Sequence, residues 1–224
     1  MITVRLPLAA AGLAAGAIGA FGPLAEAADH DFTAHAVAHL LLGMAAPLLL
    51  CLAAPVTFLL RTLPRPVARR LGRLLTIAPM RVLTEPVVAA ALNVGGLWLL
   101  YTSGLFAAMH SHSALHAMVH LHMVIAGYLL TVSIISVDPL PHRRPYSYRA
   151  AVLVAAFAAH DILAKVIYAH PPVGLDPTQV KSGAMIMYYG GDALSIIVMI
   201  ILCARWSREA RRIPLPGLGQ ARTS

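Results

Sequence analysis

Residues 114–137 read ALHAMVHLHMVIAGYLLTVSIISV. The run contains no Asp, Glu, Lys, Arg or Pro and exceeds the roughly 20 apolar residues that a helix needs to cross the hydrocarbon core of a bilayer. A surface helix of a soluble protein carries a charged face. This segment instead carries three imidazoles, His116, His120 and His122.

Working outward, five more apolar stretches occupy residues 2–25, 34–60, 82–106, 149–168 and 183–204. Their spacing predicts an all-α fold, a polytopic transmembrane helix bundle with five or six spans. Composition agrees, because 59% of the 224 residues are hydrophobic and only 12% are charged, against about a quarter charged in soluble domains. Neither cysteine sits in a CxxC pair, and Cys51 and Cys203 are expected as small core residues.

The formal net charge of +8 lies in short connections beside the apolar runs. It reads as topology and contact with the lipid bilayer, not as a nucleic-acid surface. Arg61, Arg65, Arg69, Arg70, Arg73 and Arg81 follow the second stretch, where Pro64, Pro66 and Pro79 are expected to break any helix. Arg143, Arg144 and Arg149 follow the fourth, Arg205, Arg208, Arg211, Arg212 and Arg222 follow the sixth, and Arg5 precedes the first. Alternating spans put all of them on one side, which should be cytoplasmic, together with the C-terminus. Residues 26–33, 109–113 and 170–182 then face outward.

Residues 1–27 form an N-terminal hydrophobic segment with two readings, a transmembrane helix or a cleaved signal peptide, the latter suggested by Ala25-Glu26-Ala27. Residues 28–206 form one polytopic membrane domain, and 207–224 a basic cytoplasmic tail expected to be disordered.

Of eleven histidines, nine fall in or near the outer segments: His30, His35, His39, His110, His112, His116, His120, His122 and His170. His142 is placed on the cytoplasmic side. At 100° per residue, His112, His116 and His120 fall within an arc of about 80° that also includes Met123. His35 and His39 form an i, i+4 pair, a spacing at which two imidazoles on one helix reach one ion. These six residues are the candidate metal ligands. Met44 should point about 140° away from His39, and Met118 and His122 away from the stripe. Imidazole suits zinc, copper, iron or nickel, and thioethers at Met109, Met123, Met185 and Met187 tilt the choice to copper(I). Haem is the alternative, since histidines facing each other across helices can ligate it. Histidines that merely hydrogen-bond between helices, and methionines that merely pack, are the structural reading of the same residues.

Ionisable groups inside the spans form a second set: His160, Asp161 and Lys165 in the fifth stretch and Asp192 in the sixth. Such groups are costly in lipid and face the bundle interior. Asp161 and Lys165 are placed to neutralise each other at i, i+4. Asp192 is free to pair with Lys165 or to hold a ligand histidine. Gly190 and Gly191 beside it permit close helix approach.

The stretch His35-Ala-Val-Ala-His39-Leu-Leu-Leu-Gly-Met-Ala-Ala-Pro47, followed by Leu-Leu-Leu-Cys-Leu-Ala-Ala-Pro55, resembles the opening motif of the multi-span CtaG-type cytochrome c oxidase (caa3-type) assembly factors. The basic loop, the His112/His116/His120 helix, Asp138-Pro139 and Met185-Ile-Met-Tyr-Tyr-Gly190 follow in matching order, from about His30 to Trp206. The resemblance implies a multi-pass protein of a bacterial-type inner membrane that helps a haem-copper oxidase of the respiratory chain to mature by handling copper. Its partners would be oxidase subunits or another copper carrier. Copper(I) arriving on the outer side would be held between His35/His39 and the His112/His116/His120 face and then passed on. Ligand exchange of this kind is not enzyme chemistry, and no HExxH motif is present. A haem-bearing redox protein and a transporter working through Asp161, Lys165 and Asp192 are the competing readings.

Overall fold

The computed structural model describes residues 2–138, 143–172 and 174–211, with side chains from Arg5 onward. His142, Pro139, Arg212, Arg222 and the rest of the tail from 212 lie outside the described residues. Every regular element described is helical. In lipid this is expected, because a helix satisfies its backbone hydrogen bonds within one segment.

The N-terminal stretch divides into α1 (Ile2–Ala20) and the short α2 (Pro23–Ala28). A long second span follows, built of α3 (Phe32–Leu40), one π turn (Leu41–Ala45) and α4 (Ala46–Ala53). It is broken at Ala54, whose left-handed backbone (φ 54) precedes Pro55 and α5 (Pro55–Thr62). The basic connection is helical too, as α6 (Arg65–Thr76) and α7 (Ala78–Leu83). This corrects the expectation from Pro64, Pro66 and Pro79. All three prolines sit at or within two residues of a helix start, where the missing N–H has no intrahelical partner to lose.

The third stretch is α8 (Pro86–Thr102) and α9 (Leu105–Ser111), bent by 80° at Ser103-Gly104. The quoted run is α10 (Ser113–Ile135), followed by α11 (Tyr146–Ala169) and α12 (Pro177–Ala210). The last helix begins where Asp176 caps the Thr178 N–H at 2.9 Å and ends past the expected start of the tail at 207. By length and apolarity, 32–62, α10, α11 and α12 each suffice to cross a membrane, and α8 with α9 makes a fifth. The apolar part of α1, Arg5–Ala20, is shorter.

The long helices close a ring: α3/α4 packs on α10 and α12, α8 on α10 and α11, and α11 on α12. Lipid tails are as apolar as leucine, so this packing rests on close fit rather than on escape from water. Glycines provide that fit where α10 meets the second span, because a Cβ on Gly127 would collide with the Gly43 carbonyl. Outside the ring, α1 runs antiparallel to α4, with Gly12 against Leu50 and Gly19 against Leu42.

The two ends of the ring differ in chemistry. At one end Phe32, Tyr101, Phe106, Met109 and Met187 form an aromatic and thioether core beside the histidines. At the other, Cys51, Ile134, Leu153 and Leu202 pack beneath the arginine-bearing segments. Cys203, expected in the core, is exposed on the outer face of α12. Arg149 is the largest fully buried side chain; its Nη1 donates to the Ile134 carbonyl at 2.6 Å and its guanidinium lies 4.1 Å from the Tyr146 ring centre.

Candidate functional site

At the histidine end, four imidazoles from three helices form a file. His110 on α9 lies 6.3 Å from His116 on α10, and His116 lies 4.3 Å from His120, centre to centre. His110 is also 6.1 Å from His35 on α3. His35 is buried against Phe32, Tyr101 and Phe106. Its Nε2 shares a 2.9 Å hydrogen bond with the Tyr101 hydroxyl, which fixes the ring. His120 lies within electrostatic reach of both His35 and His39, and Asp29 within reach of His120.

His112 stands apart from this file. The helix does not continue through it: its extended backbone (φ −136) ends α9 and begins α10. Its exposed ring bonds to the Ser111 hydroxyl at 2.8 Å and the Ala108 carbonyl at 3.2 Å. His110 takes the neighbouring place instead. The stripe arithmetic assumed one unbroken helix, and the break at residue 112 exchanges one histidine for the other. The alternation His110-Ser111-His112 was the available signal. His122 points away from the file, as expected, with its Nε2 near the Leu92 carbonyl at 3.1 Å.

His39 lies one turn deeper than His35 and faces His160 on α11. The two rings are 6.1 Å apart and nearly parallel, at 13°. Both residues are buried, and neither nitrogen of His39 nor Nε2 of His160 has a hydrogen-bond partner among the described residues. Met123 approaches the same place, since a Cβ on Gly43 would stand 3.4 Å from the His39 ring and 4.0 Å from the Met123 methyl. Met44 lines the same small cavity as His39 and His160. That overturns the expected 140° separation. The π turn spends five residues on one turn, so a residue five positions on returns towards the starting face.

The intramembrane polar set meets at the α11/α12 interface. His160 Nδ1 is 3.7 Å from Asp161 Oδ1, and Asp161 lies within electrostatic reach of Asp192. Asp192 is also within electrostatic reach of His160. Lys165 turns away to the Tyr188 ring, 5.1 Å from its centre, and is exposed. Gly190 and Gly191 do allow close approach, the first by Leu40 and the second by His160. Beyond His39, an apolar cleft of about 400 Å³ opens between α8 and α10, lined by Gly96, Met118, His122 and Met123.

Among the described residues, no three His, Cys, Asp or Glu side chains are grouped so as to hold a metal ion together. The imidazoles come in pairs, His116 with His120 and His39 with His160. A d¹⁰ monovalent ion such as copper(I), content with few ligands, suits such pairs better than zinc, which takes four.

Comparison with known proteins supplies the family. The chain is 29% identical over 203 residues to uncharacterised proteins of Mycobacterium bovis and Mycobacterium tuberculosis, and 28% identical over 204 residues to one of Mycobacterium leprae. Each match covers 81% of this chain but 31% of the relative, so the chain spans about a third of the length of the curated relatives it matches. No solved structure matches. Residues 3–209 match the family described as cytochrome c oxidase caa3 assembly factor, which takes in every span and both histidine pairs. A ring of apolar helices with that match over nearly its whole length belongs to the cytochrome c oxidase caa3 assembly factor family.

Proposed function

We propose that this member serves oxidase assembly by holding copper(I) at its histidine end and relaying it to an oxidase subunit or to another copper carrier. The observation that carries this reading is the file His110, His116, His120 and His35, four imidazoles in sequence at one end of the bundle, with ring centres 4.3 to 6.3 Å apart. An ion bound by two neighbours can take a third ligand before it loses the first, so a file supports transfer without full release. Asp29 adds a negative charge beside it. The positive-inside rule puts the arginine end and the C-terminus in the cytoplasm, and the file on the extracytoplasmic face of an inner membrane. Handing over an ion breaks no bond in a substrate, so the role is that of a chaperone and not an enzyme.

The test is copper(I) loading of the detergent-purified chain under anaerobic conditions. A His35→Ala/His116→Ala/His120→Ala variant should lose bound copper and fail to support oxidase maturation when it replaces the parent in cells. A variant with unchanged copper content refutes the reading. Haem content is measured on the same samples.

A further inference from the structure

The interior pair is separate from the outer file in position and in chemistry. His39 and His160 come from different helices, both are buried, and three of their four ring nitrogens lack hydrogen-bond partners among the described residues. Buried polar atoms are almost always satisfied, and an unsatisfied one costs about 1–3 kcal/mol. A function that needs free imidazole nitrogens accounts for keeping three such atoms in one place. The cavity they border, about 30 Å³, is lined also by Met44, Asn93 and Ser195. That volume is close to the share of a single water molecule in the liquid, and it is ample for one bare ion.

The spacing fits an ion. A metal–imidazole bond is about 2 Å long, so two rings whose centres lie 6.1 Å apart are near enough to share one ion once their free nitrogens turn to it. The neighbours are soft: the π turn brings Met44 to the cavity, and the Met123 methyl lies close to Gly43 and His39. Thioether with imidazole is a donor set that selects copper(I) over zinc. Gly191 leaves room for the His160 ring, and the Asp161/Asp192 pair beside it offers negative charge to balance a buried cation.

We infer that His39 and His160, with the Met44 and Met123 thioethers beside them, form a second, interior copper(I) site, reached from the outer file through His35 and His120. The site rests on the copper-handling reading for the identity of its ion, and it adds a deep resting place to an exposed loading point. Copper would thus be held where water and chelators do not reach, and leave by the path it entered.

Copper(I) titration against a competing chelator counts the equivalents bound by the full chain in detergent. The parent should bind an interior equivalent that His39→Gln/His160→Gln removes while the outer binding remains. The outer variant His116→Ala/His120→Ala should keep the interior equivalent. If the interior variant binds as many equivalents as the parent, the interior site is refuted and the outer reading stands. If the outer variant loses nothing, the outer reading fails while the interior site stands. Binding by neither the parent nor the variants overturns both. A second measurement guards against a variant that misfolds. Silver(I) is titrated into the unaltered chain carrying ¹⁵N-labelled histidine, where two buried imidazoles should shift together and saturate. Buried imidazole signals that stay in place at saturating silver refute the interior site.

Discussion

Asp138 holds Thr57 by two bonds: its Oδ1 accepts from the Thr57 backbone N–H at 2.8 Å and from the Thr57 hydroxyl at 2.7 Å. Its Oδ2 takes the Val56 N–H at 3.3 Å. The break at Ala54 leaves the first N–H groups of α5 without helical partners, and a carboxylate from the end of α10 supplies them. Asp138→Ala should lower stability by about 1–2 kcal/mol, the worth of an N-terminal cap. Thermal unfolding in detergent measures it, and an unchanged midpoint would show that water caps α5 as well.

Arg149 closes the same end of the bundle. Its Nη1 reaches the Ile134 carbonyl and the Ser136 hydroxyl while its plane lies over Tyr146. Arg149→Met should cost about 2–3 kcal/mol, as expected for a buried hydrogen bond to a charged group. Arg149→Lys should recover little of it, because an ammonium has no planar face to lay on the ring. Unfolding midpoints of the two variants, compared with the parent, test both statements.

Gly191 and Gly190 are neighbours with different duties. A Cβ at 191 would stand 2.5 Å from the His160 ring, whereas one at 190 would meet the Leu40 side chain. Each alanine should destabilise the bundle by about 1–3 kcal/mol through overpacking. Only Gly191→Ala should also remove the interior copper equivalent. Equal copper content in the two variants would show that His160 does not bind.

Glu85, just outside α8, links the basic connection to α11. Partial desolvation disfavours its charged form, but hydrogen bonds from Tyr148 and Arg144 outweigh this and hold the carboxyl below its usual 4.5. A lowered folded-state value stabilises the protein above the unfolded value and ceases to do so as pH falls through the folded one. The parent should therefore melt above Glu85→Gln at neutral pH, and the two curves should converge as pH drops below 4.5. A gap independent of pH would show that the contact is steric.

Much of this was legible in the sequence, because lipid allows few solutions. Apolar runs of about 20 residues or more must be helices in lipid, and the arginines mark one end of each. The helical pairing of His35 with Tyr101 and Phe106 was not legible, since it depends on which helices neighbour which. Periodicity failed wherever a helix departs from 100° per residue: at His112, where two helices meet, and at Met44, inside the π turn. Prolines misled at 64, 66 and 79, because the same residue that ends one helix begins the next. Arg149 is placed by its charge at the cytoplasmic start of the fifth stretch, and only the Ile134 carbonyl and the Ser136 hydroxyl at the end of α10 show why it is buried.

The π turn at Leu41–Ala45 amounts to one extra residue lodged in an otherwise continuous span. Removing a single residue there would let the segment relax to regular α-helix, with better hydrogen bonds and a straighter course. The halves on either side would keep their faces, because the wide turn spends its extra residue within itself. Only the contacts of the turn would change, since Gly43 against Gly127 and Met44 at the cavity could not both be kept with one residue fewer. A shortened chain would thus be the better helix, still aligned between the half of the span that carries histidines and the half that anchors the bundle, and poorer only by what the wide turn itself touches.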